Sequence, residues 1–131
     1  MRKCILRIFA LAFVAQCVVP GATLQARAQD AKTLYPRMAP IDQYLMDQSA
    51  EIALARSAAP ASISDKAEVL VLGRDGYTTA VKGGNDFVCL VERSWGAATD
   101  FPEFWNSKIR APICVNPPAA RTYLPTVLMK T

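Results

Sequence analysis

Three apolar runs separated by two glycine-bearing turns fill residues 67–93, and no other part of the chain restricts the fold as strongly. Ala67 to Leu72 (AEVLVL) is apolar on both faces, the pattern of an interior strand. Gly73-Arg74-Asp75-Gly76 follows, and Asp-Gly between apolar runs marks a tight turn because both residues accept positive φ. Tyr77 to Val81 (YTTAV) returns, Lys82-Gly83-Gly84-Asn85-Asp86 turns the chain again, and Phe87 to Arg93 (FVCLVER) is the third run. Three strands joined by two short turns predict an antiparallel meander.

Such a sheet needs a covering layer. Upstream, Ile41, Tyr44, Leu45, Ile52 and Ala55 fall on one helical stripe, which Gln48 interrupts. Pro40 suits the first helical position and Asp42 the positive end of the macrodipole, while Ala58-Ala59-Pro60 ends the pattern. The spacing predicts one helix from Ile41 to Ala58, with Asp47, Glu51 and Arg56 on its solvated outer face. Downstream, Ser94 to Ile109 has little periodicity, and Ala111 to Asn116 reads as a short edge strand that tolerates Pro112. Pro117-Pro118 opens a helical segment over Ala119 to Leu124, which Pro125 kinks or follows with a second helix. The expected class is α+β: an N-terminal helix packed on a three-stranded antiparallel meander, with a helical C-terminal segment.

Residues 1–28 read as a signal peptide. Arg2, Lys3 and Arg7 precede an uncharged, mostly apolar stretch from Ile8 to Val19, Pro20-Gly21 breaks it, and Ala26-Arg27-Ala28 offers a small-x-small cleavage pattern. Twelve helical residues rise about 18 Å, short of the roughly 30 Å hydrocarbon core, which disfavours an uncleaved anchor. Lipidation at Cys17 is disfavoured by Gln16, where a small residue is required. Export by the Sec route to the periplasm or the medium is expected, with Gln29 as the first mature residue. Residues 29–40 then form a flexible lead, and residues 41–131 one small α+β domain whose last residues stop in mid-pattern.

The segment also distorts the charge balance. Four of the fifteen basic residues lie in it and none of the eleven acidic ones, so the remainder carries eleven of each sign. A chain without net charge lacks the basic surplus that nucleic acid or an anionic membrane would require. No later stretch approaches 18 uninterrupted apolar residues, so no membrane span is expected after signal removal. The absence of histidine removes imidazole acid–base chemistry, Ser-His and Cys-His pairs, and imidazole metal sites.

Candidate chemistry is correspondingly sparse. Gly73 to Gly76 joins two strands rather than a strand and a helix, so it is no phosphate loop. Gly83 to Asp86 is a single copy of a pattern that binds calcium only in tandem arrays. Asp75, Asp86, Glu92, Asp100 and Glu103 could supply a carboxylate dyad, although Asp75 and Asp86 fall at opposite ends of the middle strand and Glu92 is expected to reach solvent. Trp95, Phe101, Phe104 and Trp105 either line a surface for a small ligand or protein partner or cover the sheet. Cys4 and Cys17 leave with the signal segment, and Cys89 and Cys114 remain. An even pair in an exported chain favours a disulfide. It makes a poor zinc site, and no metal or cofactor is expected.

Gly83 to Val91, Ala111-Pro112-Ile113-Cys114 and Arg121 to Pro125 together resemble a family of uncharacterised exported bacterial proteins. There an Asn-Gly turn feeds a Phe-x-Cys strand and a second cysteine follows near a proline; Asp86 stands where that pattern has glycine. The resemblance spans roughly residues 68–131 and implies that this chain is an N-terminal portion of a longer, histidine-bearing protein. It implies no activity. Two functions are compatible with these residues: a non-catalytic exported domain that binds through Trp95 to Trp105, or a small exported hydrolase using carboxylates or residues of a missing C-terminal region.

Overall fold

The computed structural model describes residues 35–130; the segment read as a signal peptide and the first half of the lead lie outside them. The fold is α+β and is built on a four-stranded mixed sheet. The strands are β1 (Glu68–Gly73), β2 (Gly76–Val81), β3 (Val88–Glu92) and β4 (Ala111–Val115), in the order β2-β1-β3-β4. Around them lie helix α1 (Gln48–Arg56), the single turn α2 (Ala61–Ser64) and the C-terminal pair α3 (Pro117–Thr122) and α4 (Leu124–Leu128). Among the described residues no helix is long and apolar enough to cross a membrane.

The hairpin β1–β2 forms where the sequence predicts it, but Arg74 and Asp75 make the turn between the paired Gly73 and Gly76, and of these residues only Gly76 takes positive φ, 106°. The meander does not continue. Instead of pairing with β2, β3 lies on the far side of β1 and runs parallel to it, with Glu68 opposite Val88 and Val69 opposite Cys89. Burial explains the choice. Every residue of β3 is buried, whereas Thr78 and Thr79 of β2 are exposed. A meander in the order β1-β2-β3-β4 would have put the threonines of β2 inside the sheet and the apolar β1 at an edge.

The crossing is made by residues 82–87, which pass over the start of β1. Gly84 N–H donates to the Lys66 carbonyl at 2.7 Å, Glu68 N–H to Phe87 at 2.8 Å, and the Asn85 amide to Ile63 at 2.9 Å. Gly83 fits only because it lacks a side chain: a Cβ there would lie 2.3 Å from the Glu68 nitrogen. Asp86 sits at φ 60°, in the left-handed region that aspartate tolerates better than most residues.

β4 is an edge strand, as expected, antiparallel to β3 with Cys89 opposite Cys114. Those two cysteines form a disulfide, with their Cα atoms 4.0 Å apart. Asn116 caps α3 by accepting from Ala119 N–H at 3.0 Å, and Pro125 opens α4.

The single helix expected over Ile41 to Ala58 is replaced by a 3-10 turn at Ile41–Gln43, a break, and α1. Two contacts impose the break. The Tyr44 ring is fully buried and its hydroxyl donates to the Trp105 carbonyl at 2.7 Å, which pins this stretch to the aromatic segment. The Asp47 carboxylate accepts from Ala50 N–H at 3.0 Å and from the Ser49 hydroxyl at 2.5 Å, so it starts a new helix as an N-cap.

The sheet is covered on both faces. Val69, Cys89 and Val91 pack with Ala55 and Ile52 of α1, while Leu70, Val88, Leu90 and Val115 pack with Leu124 and Val127 of α4. A third cluster of Tyr44, Leu72, Trp95 and Phe104 closes one end.

Candidate functional site

The strand period sends the last two charged residues near the end of β3 to opposite layers. Arg93 points to the α1 side, where Nε donates to the Tyr44 carbonyl at 2.8 Å, Nη1 to the Val91 carbonyl, and Nη2 to the Glu51 carboxylate at 2.9 Å. Glu51 also accepts from Leu72 N–H at 3.2 Å. Glu51 is therefore buried, not on a solvated face, because it lies one helical turn before the buried Ala55 and meets Arg93. Glu92 points to the other layer. It too is buried rather than solvated, and accepts from the Tyr123 hydroxyl at 2.5 Å beneath Gly96. Partial burial and this bond to a carboxylate push the Tyr123 phenol up to about 12.

Beyond Glu92 the chain makes a 3-10 turn at Ser94–Gly96 and then a series of tight turns, Phe101 to Ala98, Phe104 to Phe101 and Asn106 to Glu103. Arg110 fastens the end of the segment by donating to the Ser107 and Ile109 carbonyls at 2.6 and 2.9 Å and to Gln43 at 3.3 Å. Lys130 holds its beginning, donating to the Trp95 carbonyl at 3.1 Å.

The four aromatics divide within this frame. Trp95 is fully buried, its ring 4.6 Å from that of Tyr44, and Phe104 is buried beside it; both belong to the core. Phe101 is 43% exposed, and the half-buried Trp105 stands edge-on to Phe104 at 4.6 Å. Phe101, Pro102 and Trp105 line a recess of about 170 Å³ whose opposite wall is Tyr35 and Pro36, with Asp100 beside them. The residues from the lead were not legible as part of a site, because no local pattern links position 35 to position 101.

The carboxylates named as a possible dyad are dispersed. Asp75 is in the exposed β1–β2 turn, Asp86 near the opposite end of the hairpin, Glu92 under Tyr123, and Asp100 and Glu103 on the aromatic segment. No cluster of three or more metal-ligating side chains occurs among the described residues. Comparison with protein-family models, curated proteins and solved structures finds no match.

Proposed function

We propose that the protein is an exported, non-catalytic domain that binds a small ligand or a partner's side chain through Phe101, Trp105, Tyr35 and Pro36. The observation that carries this reading is the recess itself: two segments more than sixty residues apart place four aromatic rings and two prolines around about 170 Å³. Its size falls below the roughly 300–1,000 Å³ of sites that enclose a whole small molecule. The occupant is therefore a single ring or side chain, stacked against flat aromatic surface at low entropic cost. The buried carboxylates that a hydrolase would draw on serve the fold, Glu51 with Arg93 and Glu92 with Tyr123. The Cys89–Cys114 bridge and the basic-apolar leader support an oxidising destination.

Arrays of glycans and of short peptides, probed with the wild-type protein and with Phe101→Ser, test the proposal. The wild type is expected to retain a defined set of ring-bearing ligands that the variant loses while keeping its melting temperature. Equal retention by both proteins, or none by either, would remove the recess as the binding site.

A further inference from the structure

A second and larger cleft, of about 380 Å³, opens at the end of the sheet where β1 and β3 begin. Glu68, Asp86 and Phe87 form one side of it, and Pro117, Ala120 and Arg121 of α3 the other. This volume lies within the range of small-molecule sites. Its charges are unspent. Arg121 makes no hydrogen bond or ion pair with any described residue, and neither does the Asp86 side chain. Glu68 accepts only from the Thr79 hydroxyl, at 2.6 Å. A guanidinium and two carboxylates thus line one cleft without neutralising one another, and Phe87, Pro117 and Ala120 add apolar surface to its lining.

We propose that this cleft binds a free α-amino acid with an apolar side chain. Arg121 supplies the planar fork that suits a carboxylate, Asp86 and the second oxygen of Glu68 receive the ammonium, and Phe87 and Ala120 contact the side chain. A ligand with only one of the two charges would leave the opposite group of the cleft without a partner. The left-handed conformation of Asp86 holds its carboxylate at this mouth where glycine would be the unstrained residue. The site is separate from the aromatic recess and does not depend on it.

The test is amide NMR and calorimetric titration of the whole chain, purified as the cell processes it, with L-leucine, L-leucinamide and N-acetyl-L-leucine as probes. Leucine is expected to shift the Phe87, Val88 and Ala120 resonances, and each singly charged analogue to bind at least tenfold more weakly. Arg121→Gln is expected to weaken leucine binding at least tenfold. Asp86→Gly should do the same while leaving the melting temperature unchanged or higher, because glycine takes the left-handed conformation without strain. Absence of shifts with millimolar leucine, or leucinamide binding as well as leucine, would overturn the proposal. So would undiminished binding by a folded Arg121→Gln variant.

Discussion

The Arg93 guanidinium donates to the Glu51 carboxylate across 2.9 Å with both side chains shut off from solvent. Removing either partner strands a charge in the interior, and removing Arg93 also strands the Tyr44 carbonyl, while the Val91 carbonyl keeps the Tyr77 hydroxyl at 2.7 Å. Glu51→Ala and Arg93→Ala are each expected to cost about 3–5 kcal/mol, read as a lowered urea midpoint. The double variant should cost clearly less than the two singles added, since one interaction is lost in both.

The bridge between Cys89 and Cys114 closes a separation of 25 residues that contains the whole aromatic segment. Chain-entropy reasoning assigns such a loop about 3.5 kcal/mol. The Cys89→Ala/Cys114→Ala variant should lose roughly that amount in denaturant titrations, and unreduced, denatured wild type should show neither of these thiols free.

Neighbouring glycines in the crossing have opposite tolerances. Gly83→Ala drives a Cβ into the backbone of Ala67 and Glu68, which cannot rotate away, whereas a Cβ at Gly84 meets nothing within 4 Å. Gly83→Ala is expected to destabilise by at least about 1–3 kcal/mol, and Gly84→Ala to be neutral or stabilising by up to about 1 kcal/mol. Thermal melts of the two variants side by side decide it.

Tyr123 gives the fold a pH dependence at the alkaline end. Its phenol ionises near 10 when unfolded and at about 12 when folded. The folded state therefore holds the proton more tightly, so the stabilisation is complete below pH 10 and is lost as the pH climbs through about 12. Tyr123→Phe should flatten the decline in melting temperature over that interval, and phenolate absorbance should lose one late-titrating group.

The local features of this chain were legible, and the non-local ones were not. Asp75-Gly76 specified its hairpin, and the run from Pro112 to Val115 specified an edge strand, because turn chemistry and apolar patterning act over a few residues. The cysteine pair was readable from the even count of two left after the first 28 residues. Which strand would lie beside β3 depended on a comparison between runs: Thr78 and Thr79 mark the middle of β2 as able to face water, and β3 is apolar from Val88 to Val91. The same sequence carried the true start of α1 in Asp47, an N-cap residue hidden inside a longer apolar stripe. Glu51, Arg93, Glu92 and Tyr123 left no local signal, since their partners lie 42 and 31 residues away.

The parallel contact between β1 and β3 rests on two aligned residue pairs, while the antiparallel contacts on either side of it hold five each. The sheet is thus two ribbons, residues 68–81 and residues 88–115, joined along a short seam. The second ribbon is tied by its disulfide and the first by its tight turn. Helix α1 packs on both ribbons and is the clasp across them. Native-state hydrogen exchange should accordingly detect an opening below the global unfolding free energy, in which Glu68 and Val69 lose protection together with α1 while the β3–β4 amides keep theirs.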